Sequence, residues 1–288
     1  MKTFKNKVAA ITGAASGMGR TLAVELAKRG CNLALSDVNT TDLAKTAELA
    51  SVHGVRVTIA ELDVSNRDEM FAWAAQVVHD HGRCNMIFNN AGVALTAPAE
   101  SVKITDFEWL MGINFWGVIH GTQAFLPHLK ASGDGHVINT SSLFGLMSVP
   151  TQSSYNASKF AVRGYTEALR MELELEGACV STTCVHPGGI ATNIAMAGKI
   201  DERMEAITGM DAQAQKRRAN KMISTTTAES AALQILKAVE NDERRVLVGP
   251  DAKFLDKMVR LLGSWYQIPV IRQMKRMNKA PQRVRSTG

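Results

Sequence analysis

Short apolar, β-branched runs alternate with longer segments of helical periodicity along most of this chain, and that alternation restricts it to a βαβ architecture. The runs fall at residues 8–12, 32–36, 56–61, 86–88, 136–140 and 180–185. Segments with apolar positions at helical spacing lie between them, as at residues 20–29, 41–52 and 68–81. Strands joined through helices of this length pair in parallel. Parallel strands are covered on both faces, so they read as nearly continuous apolar runs and not as alternating ones. A seventh run at residues 245–248 is closed by Gly249-Pro250. The expected fold class is α/β, with one parallel seven-stranded sheet, doubly wound and flanked by helices. No Pro/Gly/Ser-rich linker interrupts the alternation after the midpoint, so residues 1–250 are expected to form one domain.

Two segments depart from the pattern. Residues 193–226 are helical in composition and rich in Met and charge, and they follow the sixth strand at the carboxyl edge where parallel sheets bind ligands. They are the candidate lid. Residues 251–288 form a C-terminal extension, read as two helices interrupted near Gly263 and Pro269 and followed by a basic tail.

The first strand runs into Gly13-Ala14-Ala15-Ser16-Gly17-Met18-Gly19 and then a helical segment. Glycines at such a turn let the backbone approach a phosphate, and the helix N-terminus favours the anion, as in a Rossmann-type nucleotide site. Tight βα turns use glycine for geometry as well, so the loop alone divides evenly between the two readings. Asp37 tips the balance. It ends the second strand, eighteen residues after Gly19, where a carboxylate accepts hydrogen bonds from ribose hydroxyls and repels a 2′-phosphate. No Arg or Lys follows it immediately, and Ser16 brings no charge to the loop, which favours NAD(H) over NADP(H).

Tyr155 and Lys159 are four residues apart in a helical pattern, hence on one face. A free phenol, with a pKa near ~10, is a poor base at neutral pH. A neighbouring ammonium and an oxidised nicotinamide would lower that value, so that Tyr155 could exchange a proton with an alcohol or a carbonyl. Such a pair is usually incidental; its company changes the weighting. Thr140-Ser141-Ser142 ends the fifth strand, Asn89-Asn90-Ala91-Gly92 ends the fourth, Asn114 lies in the following helix, and His186-Pro187-Gly188-Gly189-Ile190-Ala191-Thr192 follows the sixth strand.

These residues, from about Lys7 to Gly249, resemble the short-chain dehydrogenase/reductase family, the compact branch with a TGxxxGxG loop and a YxxxK centre. The resemblance implies metal-free hydride transfer, with Asn114, Ser142, Tyr155 and Lys159 as the catalytic set. Ser142, thirteen positions before Tyr155, would hold the substrate oxygen, and Ser141 would be structural. Lys159 would also bind the nicotinamide ribose, and Asn114 would hold a water in a proton relay. The same resemblance assigns cofactor binding to Gly13, Ser16, Gly17, Met18, Gly19, Asp37, Asp63, Val64, Asn90, Ala91, Gly92, Pro187, Gly188, Ile190 and Thr192, alongside Tyr155 and Lys159. Asp63 and Val64 would meet the adenine, and Thr192 with the Ile190 backbone the carboxamide. It also implies a homodimer or homotetramer. The extended branch, which usually carries TGxxGxxG, is disfavoured, and so is a hydrolase, because no GxSxG elbow is present. His186, at a strand end before a proline, is expected to be structural.

Leu143, Phe144, Leu146, Met147, Val149, Ile194, Met196 and Met204 give the loop after the fifth strand and the lid an apolar character. The expected substrate is therefore a hydrophobic secondary alcohol or ketone, steroid-like, cyclic or long-chain; simple packing of the lid onto the core accounts for the same residues nearly as well. An NADPH-dependent carbonyl reductase and a nucleotide sensor without turnover stay open as alternatives.

The net charge of +6 resides in the tail. Six basic residues and no acidic one follow from Arg272 onward, and the other 27 basic residues match the 27 acidic ones. Nucleic acid is not an expected partner. Phe254, Met258, Leu261, Leu262, Trp265 and Tyr266 stand among basic residues, a composition that suits a subunit interface and, as the less favoured option, a membrane surface. Cys31, Cys84, Cys179 and Cys184 show no metal-ligand spacing. With no secretory signal or membrane span in view, a cytoplasmic setting is expected.

Overall fold

The computed structural model describes residues 1, 3–223 and 225–279. Seven parallel strands form the main sheet: β1 (Val8–Thr12), β2 (Asn32–Asp37), β3 (Val57–Glu61), β4 (Met86–Asn89), β5 (Gly135–Thr140), β6 (Val180–Pro187) and β7 (Arg245–Val248). Their order is β7-β6-β5-β4-β1-β2-β3. The chain therefore winds outward from β1 in one direction through β2 and β3, then restarts at β4 and winds the other way. The switch between β1 and β4 opens a crevice at the carboxyl ends of the strands, where doubly wound folds bind ligands.

Helices α1 (Gly17–Lys28), α2 (Thr40–Ser51) and α3 (Arg67–His81) follow the first three strands. Asn39 and Asn66 cap α2 and α3 by accepting main-chain N–H bonds, and Gly82 ends α3 at φ 75°. Two cores result. One packs Leu22 and Leu26 of α1 and Ile235 and Leu236 of α10 (Ala228–Glu240) onto Ile11, Leu33 and Leu35. The other packs Trp73 and Met70 of α3 against Phe125 and Ile87, with the Trp73 and Phe125 rings edge-on at 5.1 Å.

Between α4 (Ile104–Met111) and α5 (Gly117–Ala131), residues Gly112–Trp116 form a turn of π-helix. Asn114 sits there and not in a regular α-helix as its spacing implies. α6 (Ser153–Leu175) carries Tyr155 and Lys159.

The segment 193–226 contains three short helices, α7 (Ile194–Ala197), α8 (Arg203–Thr208) and α9 (Ala212–Ile223). Two-residue parallel pairings tether it at two points: Ile190–Ala191 with Thr226–Thr227 at its base, and Lys199–Ile200 with Leu95–Thr96 further out. Lys199 reinforces the outer tether through Asp106 at 2.7 Å and by lying 4.0 Å from the Trp109 ring centroid.

The extension begins one residue earlier than the sequence pattern suggests, with Pro250 opening α11 (Pro250–Leu262). Gly263, at φ 53°, ends that helix as expected. Pro269 does not interrupt anything: it lies in the first turn of α12 (Gln267–Lys279), where its missing N–H costs least. Arg283 and Arg285 lie outside the described residues.

Candidate active site

The glycine loop fits a closely held ligand because Gly13 and Gly19 have no room for a side chain and Gly17, in a left-handed conformation, has little. A Cβ on Gly13 (φ 66°) would lie 2.8 Å from Ala91 Cα, one on Gly17 (φ 52°) 3.1 Å from Thr192 Cγ2, and one on Gly19 would overlap the Gly13 carbonyl oxygen. The loop is thus wedged between the β4 end and the segment after β6. Asn90 holds it there, donating from Nδ2 to the carbonyls of Thr12 (3.1 Å) and Gly13 (3.3 Å), while Thr12 Oγ1 accepts from the Asn90 and Ala91 main-chain N–H groups. Ser16 precedes α1 without capping it through its side chain, which leaves the first-turn N–H groups, Met18 among them, to an anion.

Asp37 occupies the expected place at the end of β2. Its carboxylate accepts from Ala15 N and Asn39 N, both at 3.0 Å, one on each oxygen, so it shapes the loop and keeps acceptor capacity on both oxygens. Sequence spacing missed a cation here. The Arg20 guanidinium donates to the Ala15 carbonyl, to Thr46 Oγ1 and to the Asp42 carbonyl, and so lies beside the Asp37 contact. It is committed to those acceptors. Asp63 turns its carboxylate to Ser65 N (2.9 Å) and Ser65 Oγ (2.7 Å), whereas Val64 is buried against Gly117. The buried Asn90 Oδ1 has no partner among the described residues, an acceptor next to the loop suited to a donor from a bound nucleotide.

Tyr155, Ser142, Lys159 and Asn114 converge on the other side of this crevice. Lys159 Nζ donates to the Thr140 carbonyl at 3.0 Å and lies 5.6 Å from the Tyr155 ring centroid. Burial pushes the Lys159 ammonium down to about 8. The Tyr155 phenol is pushed up by burial, with the hydrogen bond to the Ser142 side chain opposing that effect. Tyr155–Lys159 spacing leads one to expect a lowered phenol; with protein groups alone, desolvation wins. Phe144 packs edge-on to Tyr155 at 6.2 Å.

Asn114 is fully buried, and its carboxamide clamps the segment after β4: Oδ1 accepts from Val93 N at 2.8 Å and Nδ2 donates to Val93 O at 3.0 Å. Ser141 Oγ donates to the Lys159 carbonyl at 2.7 Å, the structural role expected of it. His186 is structural too. Its Nδ1 lies 2.8 Å from the Ser142 carbonyl, which can only accept, so Nδ1 carries the proton and braces the Ser142 backbone.

Pro187 ends β6, and Gly188 N donates to Val248 O at 2.9 Å. Asp251 of α11 accepts from Gly189 N at 2.6 Å, and a Cβ on Gly188 would overlap that carboxylate. Ile190 is buried beside this turn, and Thr192 reaches Gly17. Gly92 faces Asn114 and Lys159: a Cβ there would lie 3.2 Å from Asn114 Oδ1 and 3.6 Å from Lys159 Nζ. Of the apolar residues singled out beside the site, Leu143 and Met147 pack under Tyr266, whose hydroxyl accepts from Ser148 N at 2.9 Å. Met204 is buried as well, while Ile194 and Met196 remain partly exposed.

Two buried histidines make stability pH-dependent. His136 donates from Nε2 to Thr183 Oγ1, which itself donates to Glu243 O. Burial pushes His136 down to about 3 and His186 to about 4, from an ordinary 6.5. The unfolded chain therefore binds more protons below pH 6.5; stability is full above that value and falls as pH drops toward about 4. Urea unfolding at pH 5 is expected to show a loss of about 4 kcal/mol relative to pH 7 from the pair. A profile flat to pH 5 would contradict the neutral buried rings.

Comparison with known proteins agrees with this geometry. The family description "short chain dehydrogenase" matches residues 7–203. A putative oxidoreductase, SadH, of Mycobacterium tuberculosis (strain ATCC 25618 / H37Rv) is 45% identical over 267 residues, 93% of this chain and 95% of that protein. An 11-beta-hydroxysteroid dehydrogenase A of Sesamum indicum is 35% identical over 83% of this chain and 67% of its own length. The crystal structure of a short-chain dehydrogenase/reductase from Burkholderia phymatum in complex with NAD superimposes with a TM-score of 0.82 at 32% identity, covering 91% of this chain and 95% of that one. The chain belongs to the short-chain dehydrogenase/reductase family of oxidoreductases.

Proposed function

We propose that this protein is an NAD(H)-dependent oxidoreductase that interconverts a hydrophobic secondary alcohol and its ketone. The observation that carries the reading is the meeting of Ser142, Tyr155 and Lys159 across the β1/β4 crevice from the glycine loop and Asp37. The loop backbone and α1 N-terminus would hold the pyrophosphate, Asp37 the adenosine ribose, Lys159 the nicotinamide ribose, and the 187–192 turn the carboxamide. A bound nicotinamide supplies the two-electron hydride acceptor or donor. Ser142 would fix the substrate oxygen by a hydrogen bond, and Tyr155 would take the hydroxyl proton in oxidation or give one to the carbonyl in reduction. The raised phenol suits the donor role, and the buried ammonium of Lys159 favours phenolate when the proton must leave. With its carboxamide committed to Val93, Asn114 would serve the proton relay through its main-chain carbonyl inside the π turn. Segment 193–226 would act as the lid, tethered at its base and near Leu95. Phe144, edge-on to Tyr155, and the hydroxysteroid dehydrogenase among the relatives support an apolar substrate.

The test is a cofactor-resolved screen, following reduced nicotinamide with NAD or NADP across polar, cyclic, long-chain and steroid alcohols. Turnover with NAD on the lipophilic members is expected. Asp37→Ser should raise KM for NAD about 10–100-fold, the loss of hydrogen bonds to a charged acceptor, and narrow the preference over NADP. Turnover favouring NADP would instead assign Arg20 to a 2′-phosphate. NAD binding without turnover on any alcohol or ketone would leave the sensor reading.

A further inference from the structure

We propose that the outer face of α11 and α12 docks on an anionic lipid bilayer. The two helices divide their apolar residues between two sides. Leu255, Met258, Val259, Tyr266 and Val270 face inward and cover Leu143 and Met147. Phe254, Leu261 and Trp265 face outward, 68%, 85% and 71% exposed, and Ile268, which does not share the cavity that Val270 and Ile271 line with Val149 and Phe160, continues the outer surface onto α12. Phe254 and Leu261, seven residues apart, lie along one line of α11, with Lys253 and Lys257 on the adjoining stripe. Large apolar side chains standing in solvent beside ammonium groups match a helix lying at the headgroup boundary, where the apolar groups enter the acyl region and the lysines reach phosphates.

Charge decides what the surface meets. Residues 250–279 hold only two acidic side chains, and both turn inward. Asp251 accepts from Gly189 N, and Asp256 is buried and paired with Arg260 at 2.8 Å. Lys253, Lys257, Arg272, Lys275 and Arg276 form no ion pair with a described residue. Among the described residues no carboxylate pairs with these five cations, so the two helices carry positive charge that is not neutralised locally. A second copy is a poor occupant, because two-fold pairing through this face would set the same basic stripe against itself. A nucleic acid would meet the charge and gain nothing from exposed Leu261 and Ile268. An anionic bilayer satisfies both components. Docking would bring the loop after β5, which the inner side of the same helices supports, close to the membrane surface.

Flotation of the full chain with vesicles tests this independently of any catalytic activity. The protein is expected to float with phosphatidylcholine vesicles containing about one-third phosphatidylglycerol and to remain at the bottom with phosphatidylcholine alone. Lys253→Glu/Lys257→Glu should weaken partition about tenfold or more. Phe254→Ser/Leu261→Ser should weaken it at raised salt as well, because the apolar contribution is unscreened. Thermal unfolding should be unchanged in both, since all four side chains are exposed. Failure to float with anionic vesicles overturns the proposal, as does flotation indifferent to both pairs of substitutions. A dimer dissolved by Phe254→Ser/Leu261→Ser without vesicle binding would overturn it in favour of a second copy. Binding of a DNA or RNA oligonucleotide, lost in Lys253→Glu/Lys257→Glu while vesicles are ignored, would overturn it in favour of nucleic acid.

Discussion

Tyr155→Phe is expected to lower kcat by about 10²–10⁴-fold, the range a positioned general acid–base group contributes. The substitution keeps the ring, and with it the edge-on contact to Phe144 and the packing beside Leu95 and Leu110. It removes the phenol and the hydrogen bond to Ser142. Dinucleotide affinity, read by calorimetric titration, should change little, because the glycine loop, Asp37 and Lys159 are untouched. Lys159 in particular keeps its anchor on the Thr140 carbonyl. The informative result is the split between the two readouts. Lost turnover with retained binding assigns proton transfer to Tyr155; unchanged turnover would remove it from the chemistry and send the search for the proton donor to Ser142.

Gly19→Ala should have the second-largest effect, on the cofactor loop. Gly19 has helical backbone, so its conformation is open to alanine; the obstacle is space. The added methyl would overlap the Gly13 carbonyl oxygen and lie 2.7 Å from Asn90 Nδ2. Neither neighbour can yield cheaply, since Gly13 is pressed against Ala91 and Asn90 holds the Thr12 and Gly13 carbonyls. Overpacking of this kind costs about 1–3 kcal/mol of stability, and displacement of the loop should abolish measurable NAD binding. Gly164→Ala is the matched control. It also lies in a helix, α6, but a methyl there meets nothing within 4 Å. That variant should be more stable by about 0.5–1 kcal/mol. If both variants bind NAD equally well, the loop is not the phosphate cradle.

Strands were the most legible part of the fold. β1 and β7 fall where their apolar runs place them, and the others differ by one or two residues, because a strand buried on both faces writes itself as a continuous run. The site motifs were equally local: a glycine loop, a Tyr–Lys pair one helical turn apart, and short polar clusters at strand ends. Features that depend on distant partners left no such trace. The π turn around Asn114 adds a residue to a helix without altering its composition. Arg20 is fixed beside the Asp37 contact because α2 offers it Thr46 Oγ1 and the Asp42 carbonyl, and Asp251 meets Gly189 only because β7 lies beside β6. The tethers of segment 193–226 are two residues each, too short for any periodicity. Apolar residues in the C-terminal helices were visible, but which of them face the core was not; Tyr266 and Trp265 are adjacent and point opposite ways.

The bond from Asp251 to Gly189 and the seating of Tyr266 on Leu143 and Met147 have a consequence for how the protein is made. A ribosome delivers the strands, the glycine loop and Tyr155 first, and domains begin to fold as they emerge. The turn after β6 and the loop after β5 must then wait, unbraced, for the final helices. Completion of the crevice is thus a late event in synthesis, and nascent chains arrested before about residue 266 should hold a sheet without a finished pocket.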